Sequence, residues 1–153
     1  IDPDTLCIDP IKSAAAITSK TRAIIPVHLY GHPADMNAIS ALASKHALYV
    51  IEDCAEALGT RFNGKHVGTF GDAAIFSFFG NKTITTGEGG MAVFKEEVMY
   101  EKANILRDHG MDPERRYWHK EVGFNYRMTN IQAAIGVAQL ERIKYFINKK
   151  LSQ

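Results

Sequence analysis

Alternating apolar and polar segments predict a β-α-β unit in the first third of the chain. Residues 23–29 form a compact, largely apolar run that is typical of a buried strand. Asp35 can cap a helix over residues 36–46, whose apolar side chains recur on one face. A second apolar strand, residues 48–51, closes on an acidic pair that ends with Asp53. A strand, a helix and a strand in this order indicate parallel strands joined by a right-handed crossover.

The rest of the pattern extends this unit to one α/β domain with a mostly parallel sheet and flanking helices. A polar, aromatic-rich stretch over residues 107–127 is too long for a plain connector, which favours a functional role. The other predicted elements are a short helix over residues 11–17, a hairpin over 60–67, strands over 73–79 and 90–94, and helices over 96–107 and from 129 to about 147. In the last helix we expect the apolar side chains to face the core; these are Ile131, Ile135, Ala138, Leu140 and Ile143.

Composition indicates a globular protein with little attraction for nucleic acid or membrane. Apolar residues make up 46% of the chain and charged residues 23%, which suits one hydrophobic core. The formal net charge of +1 provides no general attraction to anionic partners, and the apolar runs are too short to span a bilayer. We therefore interpret the basic aromatic stretch 115–120 as a solvated or substrate-facing loop rather than a nucleic-acid-binding segment.

The cysteines and the chain ends bear on compartment and completeness. Cys7 and Cys54 cannot form a disulfide framework and fit the reduced cytosol as small apolar residues. The first residues lack the basic and apolar regions of a signal peptide, so we expect a cytoplasmic protein. No cap or glycine stop follows Ile147 in the last helical pattern, so we also expect an internal piece of a longer protein.

Polar side chains at predicted strand ends are the candidates for a ligand site, because ligands of parallel α/β sheets gather beyond the carboxyl ends of the strands. His28 lies near one such end, Asp53 closes another, and Ser77 and Lys82 follow a third. A carboxylate at the end of a buried strand needs a partner, which is a helix N-terminus, an arginine or a cationic ligand atom. His28 either lines the site or satisfies a backbone group, and a zinc site shared with His32 is disfavoured because glycine and proline break any helix there.

Lys82 lies between an aromatic strand and a run of threonine and glycine. Apolar rings beside its amine favour the uncharged form, which is a nucleophile towards carbonyl carbon. The alternative is a lysine that grips a phosphate or points to solvent, and the local pattern leaves both open. Ser77 and the following threonines and glycines can present donors to a phosphate, although they match neither the P-loop nor the GxGxxG pattern. With Asp53 for a pyridinium nitrogen, these groups together describe a site for pyridoxal phosphate.

Segments from across the chain also resemble one enzyme family. They are PVHLYGHPADM (26–36), IEDCAEALGT (51–60), VGTFGDAAIFSFFGNKTITTGEGGM (67–91) and GFNYRMTNIQAAIGVAQLERI (123–143). They resemble the DegT/DnrJ/EryC1/StrS family of pyridoxal-phosphate aminotransferases acting on nucleotide-linked keto sugars, and within it the perosamine synthetases, which aminate GDP-4-keto-6-deoxymannose. The resemblance covers nearly the whole chain. It implies aminotransferase fold type I, glutamate as the amino donor and a role in surface polysaccharide synthesis.

The resemblance implies a role for each candidate residue. Lys82 matches the Schiff-base lysine of the family, Asp53 the partner of the pyridinium nitrogen, and Ser77 the serine that contacts the cofactor phosphate. Glu56 stands near the cofactor's phenolic oxygen, where many relatives carry a glutamine. Asn125 matches an asparagine that reaches the cofactor phosphate of the neighbouring subunit, which implies a homodimer with shared active sites.

The resemblance also implies limits and alternatives. Residues 1–153 correspond to the central portion of the large cofactor-binding domain, without the N-terminal segment and the small C-terminal domain of the family. A dehydratase branch carries histidine in place of the lysine, so Lys82 favours transamination over sugar dehydration. A third reading is a non-catalytic domain that keeps the fold and takes up no cofactor; Lys82 and Asp53 together argue against it.

Overall fold

A computed structural model describes residues 1–152 of the chain. They form a four-stranded sheet, a separate two-stranded hairpin and five α-helices. In chain order the elements are α1 (Pro10–Ala16), β1 (Ala23–Ile24), α2 (Met36–His46), β2 (Tyr49–Asp53), β3 (Arg61–Phe62), β4 (Lys65–His66), β5 (Ala73–Ser77), β6 (Gly90–Phe94), α3 (Glu97–Arg107), α4 (Asn130–Leu140) and α5 (Ile143–Leu151).

The sheet confirms the prediction of a mostly parallel α/β arrangement. β2 runs parallel to both β1 and β5, whereas β6 pairs with β5 in the antiparallel direction. Asp53 is paired with Ile75, so Ser77 lies two residues further along the neighbouring strand. The carboxyl ends of β2 and β5 therefore meet at one edge of the sheet.

The first predicted strand is shorter than the apolar run 23–29 indicates. Only Ala23–Ile24 pairs continuously, and an isolated parallel bridge joins Val27 to Asp53. Pro26 has no N–H for a ladder, although its carbonyl accepts a hydrogen bond from the Asp53 N–H at 2.9 Å. The chain then turns through a short 3₁₀ segment, Leu29–Gly31.

The prediction of one long C-terminal helix was wrong in two respects. The helix ends at Leu140 and a new one begins at Ile143, with Arg142 in a non-helical conformation between them. The apolar side chains of α4 do not face the core, since Ile131 is 77% exposed and Leu140 52%. The side of α4 that meets the domain instead carries Gly136 and Gln139, so helical periodicity identified an apolar face without identifying what it packs against.

Buried side chains form two clusters. The first joins α2 to the first strands through Ile24, Met36, Ile39 and Val50. The second joins the end of β2 to β5 through Cys54, Ala57, Val67 and Ala74.

Local capping follows the sequence. The Asp35 carboxylate accepts hydrogen bonds from the Asn37 and Ala38 N–H groups and caps α2 as predicted.

Within residues 1–152, none of the helices has the length and apolar character needed to cross a membrane.

Candidate active site

Lys82 lies in the loop that connects β5 to β6, just beyond the carboxyl end of β5. Its N–H donates to the Phe79 carbonyl at 3.1 Å, and the Thr86 N–H returns to the Phe78 carbonyl at 2.9 Å. Ile84 and Thr86 are buried, which fastens the far side of the loop to the domain. The loop is therefore shaped by the sheet from which it emerges, and the Lys82 side chain, 19% exposed, is held at the sheet edge.

Glu56 brings the turn after β2 into contact with Lys82. Its Oε1 lies 3.6 Å from the Lys82 Nζ. Its Oε2 accepts a hydrogen bond from the Tyr30 backbone N–H at 2.9 Å. Tyr30 adopts a left-handed conformation (φ 52°, ψ 28°), which is unusual for a residue with a side chain. The structure thus joins three segments of the sequence at one place: the 3₁₀ turn, the turn after β2 and the lysine loop.

Asp53 ends β2 with its carboxylate half-buried. Its Oδ1 accepts a hydrogen bond from the Ala55 N–H at 3.0 Å, and its backbone carbonyl accepts one from the His28 N–H at 3.0 Å. Within residues 1–152 no arginine, lysine or histidine forms an ion pair with Asp53. Of the partners that the sequence left open, arginine is therefore not the one used, and the carboxylate is available to a cationic ligand atom.

Ser77 ends β5 one strand away from Asp53. Its Oγ accepts a hydrogen bond from the Phe79 N–H at 3.3 Å. A hydroxyl that accepts one bond still has its own hydrogen to donate. Ser77 can therefore donate to an oxygen of a phosphate at this edge.

His28 is fully buried and both ring nitrogens are used by the protein. Nδ1 accepts a hydrogen bond from the Ala34 N–H at 3.1 Å, so the other nitrogen, Nε2, carries the proton and donates to Glu52 Oε2 at 3.1 Å. Of the two roles that the sequence left open for His28, the geometry favours the one in which it satisfies a backbone group.

Glu52 is the residue that sequence reasoning missed. It is fully buried, and besides the His28 bond its two oxygens accept three backbone N–H groups, from Gly68, Phe70 and Gly71, each at 2.7 Å. Burial alone would raise the pKa of this carboxyl, but the His28 and backbone hydrogen bonds together hold it below its ordinary value. The sequence did contain one signal for it. Neighbouring residues of a strand point to opposite faces of the sheet, so Glu52 has different surroundings from Asp53 and needs its own partners.

The side chains of His28, Glu52 and Cys54 place potential metal-ligating atoms within 4.8 Å of one another. The hydrogen bonds of His28 and Glu52 account for those two side chains. Burial and the charges of Glu52 and Asp53 raise the pKa of the Cys54 thiol to about 12. The group is therefore explained as a buried polar network with an inert thiol, as expected of a packing cysteine.

Asn125 lies in the long loop before α4, and the next two residues, Tyr126 and Arg127, line a small pocket with Glu88, Gly89 and Gly90 at the end of the lysine loop. Its backbone forms an isolated bridge with Asp108, whose carboxylate binds the Arg127 guanidinium at 3.1 Å. The neighbouring Phe124 and Tyr126 rings stack at 5.0 Å and are 50% and 73% exposed. No hydrogen bond within the described part of the chain links Asn125 to Asp53, Glu56 or Lys82.

A cavity of about 820 Å³ lies elsewhere, between β5, β6 and α5. It is lined mainly by apolar side chains such as Phe76, Val93, Ile143 and Ile147, and by none of the candidate site residues. The chemistry of the chain is thus concentrated at the open sheet edge rather than in this cavity.

The donor set at the edge fits pyridoxal phosphate. A carboxylate with no cationic partner among residues 1–152 suits a protonated ring nitrogen, an amine suits an aldehyde, and a hydroxyl with a free hydrogen suits a phosphate. Asp53, Lys82 and Ser77 would hold those three groups.

A family model described as the DegT/DnrJ/EryC1/StrS aminotransferase family matches residues 1–153. The GDP-perosamine synthase of Escherichia coli O157:H7 is 58% identical over 134 residues, which are 88% of this chain and 37% of that protein. The GDP-perosamine synthase of Caulobacter vibrioides is also 58% identical, over 142 residues that cover 93% of this chain and 38% of that protein.

Among solved structures, the GDP-4-keto-6-deoxy-D-mannose-3-dehydratase of E. coli, with bound hydrated PLP, superposes with a TM-score of 0.89 at 32% identity. The match covers 97% of this chain and 42% of that one. The chain therefore spans about two fifths of the length of the proteins to which it is similar.

Proposed function

Because the chain belongs to the DegT/DnrJ/EryC1/StrS aminotransferase family, we propose that the protein is a pyridoxal-phosphate-dependent aminotransferase that moves an amino group from glutamate to a nucleotide-linked 4-keto-6-deoxy sugar. One observation carries the proposal: Lys82 and Glu56 meet at the sheet edge formed by Asp53 and Ser77, in a chain 58% identical to enzymes named GDP-perosamine synthase. Those names make GDP-4-keto-6-deoxymannose the first substrate to test.

The residues of this chain divide the work by their chemistry. When bound, pyridoxal phosphate supplies an aldehyde that bonds to amines and a ring that withdraws electrons from the substrate carbon. Lys82 Nζ would hold the aldehyde carbon and, when free, would accept and return a proton at the substrate carbon. The Asp53 carboxylate would keep the proton on the ring nitrogen, and the Ser77 hydroxyl would donate a hydrogen bond to a phosphate oxygen.

We also infer that the active protein is a homodimer whose sites are shared. Asn125 and its aromatic neighbours support this, because they are exposed and, within residues 1–152, Asn125 forms no hydrogen bond with Asp53, Glu56 or Lys82. A second copy gives such a loop a place to act. The exposed apolar side of α4, with Ile131 77% exposed, adds surface suited to burial between subunits.

We place the protein in the cytoplasm. Cys7 and Cys54 are both buried thiols, and neither is in a disulfide. Reduced thiols suit that compartment. Fractionation of cells that express the full-length protein tests this directly: recovery in the periplasmic or extracellular fraction would contradict it.

Cofactor capture is the first test of the proposed function. The full-length protein is incubated with pyridoxal phosphate and treated with borohydride, and its peptides are weighed by mass spectrometry. We expect a stable cofactor mass on the peptide that contains Lys82 and none in Lys82→Ala. Lys45→Ala, on the exposed last turn of α2, is the matched control and retains capture. Capture that persists in Lys82→Ala would refute the assignment of the lysine.

Product mass separates the proposed reaction from its alternatives. The full-length protein is given a GDP- or UDP-linked 4-keto-6-deoxy sugar with glutamate. A product in which the keto oxygen is replaced by an amino group supports transamination. Loss of water from the sugar would instead support the dehydratase reading, which the similarity to the E. coli 3-dehydratase keeps in view. Normal folding without cofactor capture would support the non-catalytic reading.

Coexpression tests the shared site. Lys82→Ala and Asn125→Ala each lose activity alone, but a mixed dimer would contain one site with neither defect. Statistical mixing then restores about a quarter of the wild-type activity. Activity no greater than the sum of the two separate variants would show that Asn125 does not act across a subunit boundary.

A further inference from the structure

The Glu56 carboxylate is held from one side and faces Lys82 on the other. The Tyr30 N–H binds Oε2 at 2.9 Å, which leaves Oε1 directed towards Lys82 Nζ at 3.6 Å. Among residues 1–152, Glu56 is the carboxylate within ion-pair distance of this amine. The Glu56 side chain thus contacts both the 3₁₀ turn and the lysine loop.

The donor on the Tyr30 side is fixed by the backbone. The left-handed conformation of Tyr30 aims its N–H out of the 3₁₀ turn, and the following Gly31 carbonyl accepts a hydrogen bond from Thr60 Oγ1 at 2.9 Å. The turn is also tied to the core, because the Ala34 N–H donates to the buried His28 ring. Glu56 is therefore bound to a turn that is hydrogen-bonded to the core, whereas Lys82 contacts it from a loop.

We propose that Glu56 is a positioning residue for Lys82: its carboxylate, anchored by the Tyr30 N–H, retains the Lys82 ammonium at the sheet edge whenever this amine is not bonded to the cofactor. The proposal rests on the proposed function for the importance of Lys82, but the contact itself does not depend on the cofactor. It gives a reason for a glutamate at a position where a glutamine would bind Tyr30 equally well but would carry no charge.

The size of the effect follows from the exposure of the pair. The Glu56 side chain is 33% exposed and that of Lys82 19%, so solvent screens much of the attraction. Partly exposed ion pairs shift an equilibrium by a factor of about two to five. Loss of the carboxylate should release the Lys82 amine from the pair and raise its rate of reaction with a labelling reagent by that factor.

Competitive labelling of the cofactor-free, full-length protein measures this rate. Limiting acetic anhydride is added at pH 7, and acetylation of each lysine is quantified by mass spectrometry. The exposed Lys20 and Lys45 serve as internal references, because neither lies near Glu56 in the sequence or on its turn. The readout needs neither cofactor nor catalysis.

Two variants separate charge from anchoring. Glu56→Gln keeps an oxygen for the Tyr30 N–H and removes the charge, so Lys82 should label about two to five times faster than in the wild type. Glu56→Asp keeps the charge but is one methylene shorter and cannot reach both partners, so Lys82 should again label faster. Melting curves establish that both variants are folded, and the Asp variant serves alone if the Gln variant is not.

The possible results are distinct. Wild-type labelling of Lys82 in Glu56→Gln would overturn the proposal. Wild-type labelling in Glu56→Asp would overturn the anchoring by Tyr30. A failure of the proposed function would appear instead as absent cofactor capture at Lys82, whatever the labelling rates.

Discussion

Replacement of Glu52 by glutamine tests the buried network that supports the site. In the folded protein Oε2 accepts from the His28 ring and the Gly68 N–H, and Oε1 accepts from the Phe70 and Gly71 N–H groups. A glutamine of the same shape has one acceptor oxygen and one NH₂ group, and the NH₂ faces two donors in either orientation. A flip of the His28 tautomer does not help, since Nδ1 would then present a proton to the Ala34 N–H.

The expected cost can be estimated from the donors left without an acceptor. Each buried unsatisfied donor costs about 1–3 kcal/mol, so two cost about 2–6 kcal/mol. Removal of a fully buried charge recovers part of the desolvation penalty, which brings the expected loss in free energy of unfolding to about 2–4 kcal/mol. This is a large fraction of the roughly 5–15 kcal/mol that stabilises a typical domain.

Urea denaturation of the full-length protein, followed by circular dichroism, measures this loss. We expect a lower midpoint with an unchanged slope, because the surface exposed on unfolding stays the same. Glu101→Gln on the exposed side of α3 is the matched control and should lie within about 0.5 kcal/mol of the wild type. If Glu52→Gln also lies within that margin, the reasoning from unsatisfied donors is refuted.

Further predictions concern pH, packing and thiol chemistry. Folding lowers the pKa of Glu52, so the charged carboxylate contributes to stability above its ordinary pKa of 4.5, and this contribution is lost as the pH falls through the lower pKa of the folded state. The difference in free energy of unfolding between wild type and Glu52→Gln should therefore become smaller in acid. A constant difference in urea titrations from pH 7 to pH 3 would contradict this. Gly71→Ala should lower the free energy of unfolding by about 1–3 kcal/mol, because a Cβ there would lie 2.6 Å from the Val50 carbonyl oxygen. In the control variant Gly80→Ala, the new Cβ would meet no described atom within 4 Å, so the free energy of unfolding should be nearly unchanged in the same assay. Cys54, buried and with its pKa raised to about 12, should not react with a thiol reagent at pH 8 until the protein unfolds; rapid modification of native protein, located by peptide mass, would show that its pocket opens.

Sequence periodicity predicted the central architecture because the elements there depend on local signals. The Asp35 cap, the amphipathic pattern of α2 and the apolar β2 each act over a few residues, and each appears in the structure. The ends of strands and helices were less predictable where contacts between distant parts of the chain determine them. The first strand stops early because Pro26 and the 3₁₀ turn redirect the chain, which no apolar count can reveal.

Periodicity was least informative for α4. An apolar helix face indicates a surface that will be buried, but it does not indicate which element or chain packs against it. The expectation that Ile131 and Leu140 lie in the core of this chain failed for that reason. The contacts made are polar or small, as between Gln139 and the Thr85 backbone and between Gly136 and Thr86.

The candidate site was predictable as a set of strand-end residues, but the contacts between their side chains were not. The parallel order of β2 and β5 brings Asp53 and Ser77 to one edge, as expected for parallel strands. The contact of Glu56 with Lys82 and with the Tyr30 N–H depends on a left-handed turn that has no clear sequence signature at a tyrosine. The roles assigned to the site residues stay predictions until the capture and labelling experiments are done.

The antiparallel pairing of β5 with β6 has a consequence for how the lysine loop can change. Ser77 faces Gly90 across the two strands, so the ends of the loop are clamped together by the sheet itself. For a loop closed in this way, doubling its length costs only about 0.6 kcal/mol of closure entropy. Insertions beside Gly80, where the surroundings are open, should leave the protein well folded while they displace Lys82. A selection for folded, soluble protein would accept such variants, and only a selection for chemistry would remove them.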